Sequence, residues 1–334
     1  MLSFSKKKST VLALMTAVMV MLAGCGTGNQ AAAPDKNASQ TTEQTQGSAA
    51  PSSEESYTIK HAMGETTIKG TPKRVVVLAT QGVETVLALG VKPVGAVSSF
   101  TGNDFYPHVK GELEGVKVVG TESQPNLEAI AALKPDLILG LKFRQEKIYS
   151  QLSAIAPTVF AEQPRGDWKE NFTLFAEAMN KKAEGEKVIA DWDKRVADFK
   201  EKAGDKLKTK VSLVRFMPGK TRIYYKDTFA GVILEQLGFA RPDAQNKPDF
   251  ADDVTKERIP DMDGDIMFYY VYETGDNKAS ELEKEWTNDP LWKNLNVVKN
   301  NKVFKVDDVT WNTSGGVKSA NLMLDDLEKF FLTK

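Results

Sequence analysis

Short β-branched runs alternate with helix-patterned stretches through most of this chain, and the alternation stops only once. Residues 74–78, 94–97, 116–119 and 136–141 are strand-like, and 83–89, 126–133 and 146–155 carry helical spacing. Such β-then-α repetition predicts a parallel sheet with helices on both faces. The interruption covers residues 168–203. There Phe172, Phe175, Met179, Ala183, Val188, Trp192, Val196 and Phe199 recur at three- and four-residue steps, with Lys, Glu and Asp between them. This spacing predicts one long amphipathic helix, bent near Gly185 and stopped at Gly204. Strands then resume at 211–216, 222–225, 266–272 and 303–306, with helices at 229–237 and 317–331. A hairpin over 57–60 and 65–69 precedes the first lobe. The expected fold is α/β, two Rossmann-like lobes joined by a single long α-helix.

The N-terminus sets the compartment. Lys6, Lys7 and Lys8 precede an apolar run from Val11 to Leu22, which ends in Leu22-Ala23-Gly24-Cys25. A basic start, a short apolar core and small residues at the cut are a secretory signal. The run is too short to span a bilayer comfortably. Cys25 is the chain's one cysteine, so no disulfide arises. The stretch resembles the lipobox of bacterial lipoproteins. That resemblance implies cleavage before Cys25 and lipid on it, placing the protein on the extracytoplasmic face of the cell membrane. Residues 26–56 are small and polar and read as a flexible tether. The expected divisions are 1–24 signal peptide, 25–56 tether, 57–166 N-terminal lobe, 167–204 connecting helix and 205–334 C-terminal lobe.

Composition excludes several functions. Lys plus Arg is 44 against 45 Asp plus Glu, so nothing suggests nucleic acid. His61 and His108 are the only histidines, too few for a histidine-rich metal site. No Gly-x-Ser-x-Gly, Walker loop or Gly-x-Gly-x-x-Gly occurs. Asp261, Asp263 and Asp265 around Gly264 lack the twelve-residue calcium loop and read as a turn.

Pro72-Lys-Arg-Val-Val-Val, Glu84-Thr-Val-Leu-Ala-Leu-Gly, Asn126-Leu-Glu-Ala-Ile-Ala-Ala-Leu-Lys-Pro-Asp-Leu-Ile-Leu and Phe229-Ala-Gly-Val-Ile-Leu-Glu-Gln-Leu-Gly together resemble the iron–siderophore-binding lipoproteins of bacterial ABC importers. The resemblance covers residues 57–334. It implies a ligand cleft between two lobes, small closure on binding, and a monomer delivering its ligand to an ABC permease dimer and its ATPase. It also implies that a surface glutamate on each lobe, Glu84 and Glu235 by position, docks that permease.

A ferric siderophore supplies its own iron ligands, so no intrinsic cofactor or protein-bound metal is expected. The cleft must hold an oxygen-rich, usually anionic chelate, for which arginine forks and aromatic walls are suited. Ligands in α/β lobes sit at carboxyl ends of strands. Arg144, in Leu141-Lys-Phe-Arg-Gln-Glu-Lys, occupies such an end and resembles a segment of members that bind citrate-based siderophores. Arg215 ends another strand, and Arg222, at the start of the next, ranks below it. Arg74, Arg195, Arg241 and Arg258 read as solvated or linker arginines. Tyr224 and Tyr270 are the expected cleft tyrosines, and Trp311, in a Gly-Ser loop, an aromatic wall. Thr80, Gln81 and Ser98 are positional candidates. The expected ligand is a hydroxamate or citrate-hydroxamate chelate of the schizokinen type. A catecholate, haem or cobalamin in the same fold, or an extracytoplasmic enzyme, are the alternatives.

Overall fold

The computed structural model describes residues 55–333 except Asn103 and Arg165. The expected signal peptide, Cys25 and the tether up to Glu54 lie outside the described residues. The opening hairpin pairs β1 (Ser56–His61) with β2 (Gly64–Lys69) antiparallel. Gly64 makes its turn at φ +116°, a region that glycine enters without cost from a Cβ.

Five parallel strands follow: β3 (Val75–Val77), β4 (Gly95–Ala96), β5 (Lys117–Val118), β6 (Leu137–Leu141) and β7 (Thr158–Ala161), in the order β5-β4-β3-β6-β7. Every residue of β3, β6 and β7 is buried, as expected of a parallel sheet covered on both faces. Helix α1 (Thr80–Ala88) leaves the end of β3.

The second sheet is β8 (Val211–Met217), β9 (Lys220–Tyr224), β10 (Ala251–Val254), β11 (Ile266–Val271) and β12 (Val303–Lys305), in the order β10-β9-β8-β11-β12. It is parallel across β8, β11 and β12. It turns antiparallel at β9 and β10, because Pro218-Gly219 reverses the chain directly, with Gly219 at φ +75°.

The long-helix expectation needs a correction. The amphipathic stretch is a hairpin of two helices, α2 (Trp168–Ala178) and α3 (Lys182–Ala203). Asn180 breaks it at φ +56°, with its Nδ2 donating to Thr71 Oγ1 at 3.0 Å. The apolar spacing runs through this break because both helices bury the same face. Gly185 is no bend. It lets α3 lie against α2, where a Cβ would stand 2.7 Å from that of Ala176. Trp168 and Trp192 meet edge-on across the hairpin at 5.3 Å. Helix α3, about 33 Å long at the standard rise, remains the connection into the second sheet.

After α4 (Phe229–Leu237), the last helix, α5 (Val317–Phe331), packs back against α1 of the first lobe. Arg195 of α3 ties to it through Asn321 Oδ1 at 2.8 Å and Asp325 at 2.6 Å. One apolar core runs from β3 and α1 through α2 and α3 to α5.

Glu84 lies at the centre of this packing. It is fully buried, so it is no surface glutamate for docking. It sits in the middle of an α1 whose first eight residues are all buried. Its Oε2 accepts from Ser319 N at 2.8 Å, one of the unpaired N–H groups at the start of α5. Its Oε1 accepts from the Ser314 and Ser319 hydroxyls and lies 2.7 Å from His108 Nε2. A Cβ on Gly316 would fall 2.6 Å from Glu84 Oε2. The trio is not a catalytic relay, since serine and carboxylate compete for one imidazole nitrogen and serine donates directly to the acid. Glu235, by contrast, is half-exposed and paired with Lys226 at 3.1 Å.

Two stability predictions follow from these contacts. Asn180→Ala is expected to lose about 1 kcal/mol in a denaturant titration, from the left-handed conformation, and Asn180→Gly less. Burial alone pushes Glu84 up, but the His108 hydrogen bond and charge and the two serine hydroxyls hold it below the usual carboxylate range. A depressed folded value means stability present above the unfolded value and lost as pH falls. Glu84→Gln is therefore expected to cost about 3 kcal/mol at pH 7. The gap to wild type should narrow as pH drops below the ordinary 4.5.

Candidate functional site

A cleft of about 590 Å³ opens where the carboxyl ends of both parallel strand sets face each other. The first lobe supplies Thr80 and Gln81, which open α1 just beyond β3, and Arg144, in the short helix Lys142–Gln145 beyond β6. The second lobe supplies Arg215 of β8, Arg222 of β9 and the loop Asn312–Gly315. Phe100, Phe143, Phe229 and Phe250 form the apolar wall.

The three arginines are held differently. Arg215 is buried and forks onto Asp308, Nε to Oδ1 at 2.6 Å and Nη2 to Oδ2 at 2.9 Å, while Nη1 donates to Tyr224 Oη at 3.1 Å. Burial works against its charge, but Tyr224 and Asp308 hold it above the usual arginine range. The Tyr272 ring lies 4.7 Å from its guanidinium carbon. Arg215 thus gives the floor a fixed charge rather than a free fork. Arg144 is partly exposed, lies over Phe143 at 5.0 Å and Phe100 at 5.9 Å, and meets Glu122 Oε2 through Nε at 3.4 Å. Arg222 donates its Nε to Asp253 Oδ1 at 2.5 Å and lies over Phe250.

Glu122 is 2% exposed and still lines the cleft. Its Oε1 accepts from Thr80 N at 2.6 Å and Thr80 Oγ1 at 3.0 Å, closing the start of α1. Burial raises its carboxyl, against the opposing pull of Thr80 and Arg144. Beside it, both amide atoms of the Gln81 side chain are buried without a hydrogen-bond partner. A buried amide left unpaired is costly, and Gln81 is among the residues that line the cleft.

Of the residues expected from sequence, the structure gathers Thr80, Gln81, Arg144 and Arg215 in one cleft. Others lie elsewhere. Tyr224 and Tyr270 are fully buried beneath the floor, their rings 5.7 Å apart. Trp311 is also buried, 4.8 Å from Phe268, with Nε1 donating to Asp326 at 3.1 Å. The wide helical turn Val309–Thr313 points its tryptophan into the core while the next polar residues face the cleft. Ser98 lines a neighbouring depression of the first lobe. Arg241 is not solvated. It is buried and donates to the Tyr224 carbonyl and Gln245. Asp263 accepts from the Asn296 and Val297 amides, and Asp265 from that of Lys210.

Tyr272, Glu122 and the phenylalanines escaped sequence reasoning, and Arg222, ranked low from its place at a strand start, lines the cleft as well. Tyr272 stands one residue beyond β11, where the strand-end rule points, and its hydroxyl donates across the cleft to the Phe100 carbonyl at 2.9 Å. Arg222 pairs directly with Arg215 in the β8–β9 register. An antiparallel strand begins at the end where its partner stops, so its first residues reach the cleft.

Residues 75–310 match the model of a periplasmic binding protein family. A probable siderophore-binding lipoprotein of Bacillus subtilis (strain 168), YfiY, is 53% identical over 291 residues, 84% of this chain and 89% of that one. The Fe(3+)-citrate-binding protein YfmC of the same organism is 30% identical over 332 residues, 98% of each. Staphylococcus aureus SirA complexed with staphyloferrin B superposes with a TM-score of 0.77 at 41% identity, over 82% of this chain and 97% of that one. In architecture, in the extent of the family match and in its likeness to these relatives, this chain belongs to the periplasmic binding protein family.

Proposed function

We propose that the protein is an extracytoplasmic lipoprotein that captures a ferric siderophore in the cleft and delivers it to an ABC permease for iron uptake. The observation that carries this reading is the convergence of Arg144, Arg215 and Arg222 on one phenylalanine-walled cavity with a built-in countercharge. Each arginine is tied to a carboxylate, Glu122, Asp308 and Asp253 respectively. The cleft offers oriented N–H donors and apolar surface but little net charge. Its described lining contains no histidine or cysteine, and no group of three or more His, Cys, Asp or Glu placed to hold a metal ion occurs among the described residues. In this reading the iron arrives already chelated.

Charge balance favours a chelate of low net charge over a highly anionic tris-catecholate. A citrate-hydroxamate of the schizokinen type fits. Its oxygens would meet Arg144, Arg222 and the free Gln81 amide, and its alkyl arms the phenylalanines. The relatives support a siderophore reading with a citrate side: one is named for Fe(3+)-citrate, and the solved neighbour holds staphyloferrin B.

Calorimetric titration with ferric schizokinen tests the assignment. Arg144→Ala is expected to weaken binding about tenfold or more, a loss of about 1.4 kcal/mol. Unchanged affinity contradicts the placement of Arg144 in the site.

A further inference from the structure

Among the described residues that line the cleft, Glu122 is the one carboxylate. An acid at the floor of a site for an anion opposes its ligand unless it has another task. Its geometry shows two. One oxygen caps α1 through Thr80 N and Oγ1. The other faces the Nε edge of Arg144 at 3.4 Å. The Glu122 backbone is pinned as well, since its carbonyl accepts from Gln145 Nε2 at 2.6 Å. That amide also donates to the Leu78 carbonyl at the end of β3, and Gln145 Oε1 accepts from Leu141 N at 2.7 Å. The acid, the arginine and the start of α1 therefore form one rigid unit beyond the ends of β3 and β6.

An arginine held by its Nε edge keeps both Nη1 donors and the outer Nη2 donor turned away from the holder. Stacking on Phe143 and Phe100 fixes the plane. Free arginine side chains lose considerable rotamer entropy when a ligand orders them, and this one is ordered beforehand.

We propose that Glu122 is a positioning residue for ligand capture, which presents the outer N–H groups of Arg144 to the chelate and limits the negative charge a bound chelate can carry. This rests on the siderophore reading above and adds a selectivity rule to it. The buried acid lies next to the position of the ligand's oxygens, where the effective dielectric is well below that of water. Each extra negative charge on the ligand is repelled there, while a chelate of low charge keeps the benefit of the ordered fork.

The test compares ferric schizokinen with the more carboxylate-rich ferric staphyloferrin B by calorimetry. Glu122→Gln retains an oxygen acceptor for Thr80 but removes the charge. Its affinity for ferric staphyloferrin B is expected to rise about tenfold relative to that for ferric schizokinen. In an Arg144→Gln background the Glu122→Gln substitution should change the schizokinen affinity much less than it does in wild type. A role confined to capping α1 predicts equal effects in both backgrounds and no change in the affinity ratio, and either result overturns the proposal. Thermal melts confirm that each variant is folded, and Glu122→Ala, which also removes the charge, serves the same comparison if Glu122→Gln is not folded. Binding of both chelates without this discrimination overturns the proposal alone. Binding of neither by the wild-type chain overturns the siderophore reading with it.

Discussion

The buried carboxylate of Glu84 is the contact on which the rest of the site depends. A charge out of water survives only when its partners replace the lost solvation, and here those partners come from the far end of the chain. Ser314 and Ser319 belong to the last turn and helix, 230 and 235 residues away. The helix that follows the second sheet is thus clamped to the first helix of the first lobe. With α3 forming the other crossing, the lobes are joined twice, and the core between them is continuous. The walls of the cleft are thus held by contacts within the chain itself.

The same economy governs the cleft. A site built of bare arginines would repel itself and bind anions indiscriminately. Here each arginine has its own acid, and the three pairs differ in how much donor capacity they leave. Arg215 is wholly occupied by Asp308 and Tyr224, whereas Arg144 and Arg222 are held by one edge and remain partly open. The Tyr272 hydroxyl joined to the Phe100 carbonyl spans the opening between the lobes. Under the proposed function, recognition rests on oriented hydrogen bonds and phenylalanine surface.

Much of this was legible in the sequence because strand and helix periods are local properties. The alternation gave the α/β class, and the strand-end rule found Arg144, Arg215, Thr80 and Gln81. What failed was non-local. Periodicity could not see that Asn180 adopts a left-handed turn, because apolar spacing continues across it. It could not distinguish Tyr270, which points into the sheet, from Tyr272, which clears it. The Arg222 position required knowing that β9 returns antiparallel. The resemblance pairs Glu84 with Glu235 by position, yet one helix is covered by α5 and the other presents its acid to solvent. Trp311 sits in a polar loop, but a single wide turn aims it into the core.

The most direct test of the central claim is what the protein retains after equilibrium dialysis. Samples receive ferric schizokinen, iron-free schizokinen, or iron as its nitrilotriacetate, and both metal and chelator are quantified. The account predicts that iron and chelator are retained together in a 1:1 ratio from ferric schizokinen, and that iron is not retained when supplied without a siderophore. Iron held in the absence of chelator would mean that the protein itself ligates the metal, and would contradict a cleft built for a preformed chelate.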